Sequence, residues 1–160
     1  MTEAGKGGPR DSAGVLLPPP LIYLAAILLG VLAQRALPLA LPGRGLRLVL
    51  GWGIILLGMA VIVLGARELR RLRTTLNPAG STTALATGGP YGRTRNPLYL
   101  ALSIIHLGVG VATGNPWILL TLAPAVLVIH FAVIRREERY LERKFGEEYR
   151  RYRSEVRRWL

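Results

Sequence analysis

Three stretches of this chain run without a formal charge for longer than a soluble fold of 160 residues can use. They extend from Val15 to Ala33, from Leu48 to Ala66 and from Asn96 to Ile134, which is 19, 19 and 39 residues. About 20 apolar residues cross the hydrocarbon core of a bilayer as a helix, the form that satisfies every backbone polar group within its own segment. The first two runs therefore predict one span each. The third is too long for one span and about right for two, and Gly114-Asn115-Pro116 near its middle marks a tight turn.

The resulting fold class is all-α: a polytopic membrane helical bundle of about four transmembrane helices plus an amphipathic C-terminal helix. The spans are placed at about 21–41, 48–66, 97–113 and 117–134, within a single domain over residues 15–160. Residues 1–14 are polar and Gly-rich, a composition that cannot bury enough apolar surface to order, and read as a disordered tail. Pro18-Pro19-Pro20 delays the first helix to about Leu21, and Pro124 is expected to kink the fourth. A cleaved signal peptide is the weaker reading of the first run, whose apolar stretch is long and interrupted by those prolines.

Charge orients the bundle. The net charge is +12, with 21 Lys and Arg, a balance that in a soluble domain suggests nucleic acid. Here the basic residues avoid the apolar runs and gather beside them, at 67–97 and 135–160, which is the cytoplasmic signature of a membrane protein. Membrane lipids, not nucleic acid, are the expected neighbours. Both termini and the 67–97 loop are placed in the cytoplasm of a multi-pass protein of the inner membrane, with Arg44 and Arg47 a mild discrepancy on the far side. The absence of cysteine removes disulfides, thiolate metal sites and a cysteine nucleophile, and no metal site is expected.

Small residues punctuate the spans. Gly51, Gly53, Gly58 and Gly65 allow close helix approach in lipid. Gly110 and Gly114 form a GxxxG pair, which serves packing within one chain or the pairing of two copies as a homodimer. In the tail, Leu141, Phe145, Tyr149, Tyr152 and Val156 fall on one helical face, with Gly146 able to break the helix in two.

Polar groups at membrane depth are expensive and mark candidate sites. Asn96, Tyr99, Ser103 and His106 share a face of the third span, and His130 and Glu137 a face of the fourth. His106 and His130 serve equally well as satisfied core histidines or as contacts to a substrate. Glu137 and Glu138 on their own read as partners of nearby arginines. The lead-in to the third span, Gly88-Gly89-Pro90-Tyr91-Gly92-Arg93-Thr94-Arg95-Asn96-Pro97, sets the fork of Arg95 at the same end of the bundle as those glutamates. A zwitterionic ligand bridges such a pair of clusters.

The segment GPYGRTRNPLYLA resembles the Arg-His/Asn-Pro-x-Tyr-x-Gly motif of the isoprenylcysteine carboxyl methyltransferase and phospholipid methyltransferase superfamily. The tail EERYLERKFGEEYRRYRSEVRRWL is similar to that family's closing segment, and the resemblance covers about residues 75–160. It implies an enzyme that uses S-adenosylmethionine to methylate a lipophilic, membrane-resident acceptor, either the carboxylate of a prenylcysteine-like molecule or the amine of a phospholipid. It also implies that Arg95, Asn96, Pro97 and Tyr99 form one wall of the cofactor pocket and Glu137 and Glu138 the other. Arg95, Tyr99 and Glu138 are then the catalytic candidates, and His106 and His130 the substrate candidates. Gly51 and Gly53 are the nearest match to a cofactor-contacting glycine pair of the phospholipid branch. Ala101 stands where the motif has Gly, and Asn96 where the prenylcysteine branch has His. The competing expectations are a relative of the NADPH-dependent sterol reductases and a non-enzymatic membrane adaptor on the same fold.

Overall fold

A computed structural model describes residues 17–74 and 82–160 of the chain; the expected tail at 1–14 lies outside them. Among the described residues every regular element is a helix. Helix α1 spans Pro19–Ala36 and α2 spans Arg44–Arg71. A single 3₁₀ turn, Gly89–Gly92, precedes α3, Pro97–Thr113. Helix α4, Pro116–Val128, passes through a π-helical segment, Ile129–Ile134, into α5, Arg135–Phe145, and α6, Glu147–Glu155, closes the chain.

The boundaries have local causes. Pro19 and Pro97 occupy the first turns of α1 and α3, where a missing N–H costs nothing. So α1 begins at Pro19, two residues ahead of the expected Leu21: the proline triplet starts the helix instead of delaying it. Gly114 ends α3 in a left-handed conformation, φ +65°. Asn115 then caps α4, its side chain accepting from Trp117 N at 2.9 Å and Ile118 N at 3.3 Å. This is the tight turn expected at the centre of the 39-residue run.

Three helical segments are long and apolar enough to cross a membrane: Pro19–Ala36, Arg44–Arg71 and Pro116–Phe145. Helix α3, the remaining expected span, has 17 residues and is a shorter apolar helix held between α2 and α4. Length and composition make the chain a membrane protein, and large apolar side chains such as Leu29, Val49, Trp52, Leu56 and Leu120 face outward, as lipid contact requires.

Helix α2 runs antiparallel to α3 along a seam of small residues. A Cβ added at Gly51 would lie 2.5 Å from the Ala112 backbone, and one at Gly58 would lie 2.6 Å from Ile105. At Gly108 it would meet Ile55 at 2.7 Å, and Gly65 abuts Leu98. Gly53, by contrast, points into open space, so the expected glycine pair divides. Gly110 packs against Leu119 and Ile118 within the α3–α4 turn.

Helix α1 lies antiparallel to α4, tied by Asn115 Nδ2 to Gly30 O at 3.3 Å and Trp117 Nε1 to Leu37 O at 2.8 Å. The core between α1, α3 and α4 holds Tyr23, Ala26, Tyr99, Ala125, Ile129 and Val133. The fourth span continues through Pro124 and leaves α geometry only at Ile129–Ile134. A π turn inserts one residue and rotates everything beyond it. Gly146, φ +53°, breaks the amphipathic tail into α5 and α6.

Candidate functional site

The start of α1, the end of α2, the 3₁₀ turn, the start of α3 and the α5–α6 pair meet at one end of the bundle. They enclose a cavity of about 390 Å³, within the range of roughly 300–1,000 Å³ usual for small-molecule sites. Its lining is in part apolar, with Pro18, Pro19, Pro20, Leu69, Leu98 and Leu102. It is in part polar, with Arg95, Asn96, Tyr99, Glu137, Glu138 and Tyr149. Pro97 lines it as well, so six of the residues singled out in the sequence share one cavity.

The two glutamates do different things there. Glu138, buried, is held by two cations. Arg158 approaches it as a fork, Nε to Oε1 at 2.9 Å and Nη2 to Oε2 at 2.6 Å, and Arg95 Nη1 stands 3.3 Å from Oε1. Bidentate pairing of this kind fixes both partners. Glu137 meets no cation: its Oε2 accepts from the Tyr99 hydroxyl at 2.9 Å, and no other partner lies among the described residues. Its carboxylate is therefore open towards the cavity. Arg95 has a polar atom to spare, since its buried Nε has no partner.

The last residues of the chain tie the site together. Arg95 N donates to Arg157 O at 2.9 Å, and Asn96 Nδ2 and Thr94 Oγ1 donate to Arg158 O at 2.9 and 3.1 Å. The backbone of the tail thus pins the lead-in to α3, while the Arg158 side chain crosses to α5. Tyr152 donates to Tyr91 O at 2.7 Å and fastens α6 to the 3₁₀ turn. Burial pushes the Tyr149 hydroxyl up to about 12, with the nearby Glu138 charge acting in the same direction, so it stays protonated in neutral solution. It accepts from Arg95 Nη1 at 3.4 Å.

Both histidines lie outside the cavity. His106 is fully buried between α3 and α4, with Nε2 2.8 Å from Ile118 O and its ring edge-on to Tyr23. Its geometry is that of a satisfied core histidine at one nitrogen; Nδ1 has no partner. His130 lies within the π-helical segment Ile129–Ile134, which breaks the α-helical register to Glu137, and its ring sits beside the tail. Arg158 Nη1 is 3.3 Å from its Nε2 and Trp159 Nε1 is 3.4 Å from its Nδ1. A neutral imidazole has one acceptor nitrogen, so only one of these contacts at a time is a hydrogen bond. Ser103, on the expected polar stripe, joins α3 to α1 through Tyr23 at 2.7 Å. Neither Gly51 nor Gly53 lines the cavity.

Sequence reasoning missed Arg158, Tyr23 and the proline triplet as parts of this end of the molecule. Arg158 had a signal, its place in the tail that resembles the family's closing segment. The other two come from α1, which no motif connects to the site. Among the described residues no three His, Cys, Asp or Glu side chains converge as metal ligands.

A model of the family described as phospholipid methyltransferase matches residues 46–148. Among curated relatives, an uncharacterized protein of Haemophilus influenzae is 49% identical over 63 residues, all of that protein and 39% of this chain. The cobalt-zinc-cadmium resistance protein CzcN of Cupriavidus metallidurans is 34% identical over 94 residues, 58% of this chain but 44% of that protein. The nickel-cobalt-cadmium resistance protein NccN of Alcaligenes xylosoxydans xylosoxydans is 38% identical over 66 residues, 41% of this chain and 31% of that protein. The chain thus matches less than half the length of either resistance protein. No solved structure matches it.

Proposed function

The chain belongs to the phospholipid methyltransferase family, and from that premise we propose that it transfers a methyl group from S-adenosylmethionine to a lipophilic acceptor resident in the membrane. The observation that carries the reading is the mixed lining of one cavity: a carboxylate–tyrosine pair and a half-free arginine together with apolar side chains.

The residues fit the methyl donor. Arg95 presents an unpartnered buried Nε, suited to a carboxylate, while Asn96, Tyr99, Glu137 and Glu138 offer acceptors for ammonium and hydroxyl groups. When bound, S-adenosylmethionine supplies a methyl carbon made electrophilic by its sulfonium. The protein's part is to position, to desolvate and to accept a proton. Leu69, Leu98 and Leu102 exclude water and give a hydrocarbon chain somewhere to lie, with the acceptor arriving from the bilayer and the donor from the cytoplasm. A carboxylate acceptor needs no base. An amine must lose a proton, and Glu137, oriented by Tyr99 and free of cations, is the group placed to take it. That arrangement favours the phospholipid amine over the prenylcysteine-like carboxylate.

Calorimetric titration of the purified protein in detergent with S-adenosylmethionine, S-adenosylhomocysteine and NADPH tests the reading. Saturable binding of the first two is expected, weakened at least about tenfold in Arg95→Ala by loss of a charged contact, with thermal unfolding run in parallel to confirm folding. Full affinity in both Arg95→Ala and Glu138→Gln would place the site elsewhere. Binding of NADPH alone would make the protein a reductase relative, and binding of none an adaptor.

A further inference from the structure

A second cavity, of about 460 Å³, lies on the outer side of α5 against the tail. Four arginines line it, Arg135, Arg139, Arg153 and Arg158, with two carboxylates, Glu138 and Glu142. The carboxylates are already spoken for: Arg153 pairs with Glu142 at 3.3 Å and Arg158 with Glu138 at 2.6 Å. Arg135 and Arg139 have no carboxylate partner among the described residues. Arg139 Nε donates to Arg135 O at 3.1 Å, which leaves its terminal nitrogens available, and the Arg135 guanidinium lies 5.6 Å over the Phe131 ring. Two unmatched guanidiniums in a concave site call for an anion with several oxygens.

The surroundings say which anion. Arg135 is the first charged residue after the 39-residue uncharged run, so the cavity sits where the hydrocarbon ends. Directly along the same helix face, Leu120, Pro124, Leu127 and Phe131 form an outward apolar stripe at spacings of four, three and four. Basic groups at one end and an exposed apolar track at the other match the two parts of a lipid, and a soluble phosphate would have no use for the track. We propose that this cavity binds the phosphate of an anionic phospholipid from the leaflet adjoining the charged tail, whose acyl chains lie along α4. Glu138 lines both cavities, so the lipid would sit one side chain away from the site described above. The lipid assignment itself stands independently of methyl transfer.

Native mass spectrometry of the detergent-purified protein, titrated with phosphatidylglycerol or phosphatidylcholine of the same acyl chains, tests it. Two arginines at a membrane surface are expected to give a preference for phosphatidylglycerol of about tenfold or more. Arg135→Gln/Arg139→Gln should abolish the preference. Arg70→Gln/Arg93→Gln, which removes the same charge from exposed positions on other elements, should keep it. Equal retention of the two lipids, or equal loss in both double variants, would overturn the site in favour of diffuse surface charge. Displacement of bound phosphatidylglycerol by millimolar inorganic phosphate would also overturn it, showing a pocket for soluble anions.

Discussion

Glu137 and Glu138 are adjacent in sequence and occupy different electrostatic company. Glu138 neutralises Arg158 and faces Arg95, so Glu138→Gln leaves the buried Arg95 and the half-buried Arg158 without a counter-charge. Removing one partner of such a pair costs about 3 kcal/mol, and the variant should show a clear loss of thermal stability in detergent. Glu137→Gln keeps the shape and removes only the proton acceptor. It should leave unfolding nearly unchanged while slowing transfer to an amine at saturating cofactor at least about 10²-fold, the usual contribution of a positioned base. Single-turnover kinetics on the two variants separates these outcomes. Sequence inspection could group the glutamates but not divide them. Their difference comes from Arg158, whose partner is 20 residues away in the chain and is set by how the tail folds back.

At the scale of elements, the α2–α3 seam makes a sharp contrast. Gly51→Ala drives a methyl group into the Ala112 backbone, and overpacking of this kind costs about 1–3 kcal/mol. Gly53→Ala meets open space and removes a poor helix former, so it should stabilise by up to about 1 kcal/mol. Thermal unfolding in one detergent reads both signs. The tail helices carry a pH dependence. Burial raises the hydroxyls of Tyr91 and Tyr152, and that of Tyr149 to about 12. Their ordinary value is about 10, so the stabilisation is fully present below pH ~10 and fades as pH climbs to about 12. Tyr149→Phe should flatten part of that alkaline loss, measured by unfolding between pH 9 and pH ~12. Helix positions were legible because uncharged length and Gly114-Asn115-Pro116 are local signals, whereas the proline triplet, expected to delay α1, starts it. The π turn was not: it leaves no residue type behind, and without it His130 and Glu137 project to one face.

Over the whole molecule, the topology gathers α1, α2, α3 and the tail at one end although their contributions lie far apart in the chain. The polar lining was legible, because motif residues cluster around Arg95 and Glu137, but the apolar lining was not, since leucines and prolines in a membrane chain carry no distinguishing mark. The tail backbone holds Arg95, Asn96 and Thr94 in place. Deleting residues 156–160 should therefore weaken binding of S-adenosylhomocysteine while leaving the transmembrane helices intact, as read by calorimetry beside circular dichroism. The most direct test of methyl transfer to a membrane acceptor is label transfer. Protein reconstituted in vesicles of a total bacterial lipid extract would be given S-adenosylmethionine labelled in its methyl group, and the organic-extractable label counted. Time-dependent label in the lipid fraction, lost in Arg95→Ala, is the expected result. No label above a protein-free control, from folded protein that binds S-adenosylhomocysteine, would contradict a lipophilic acceptor.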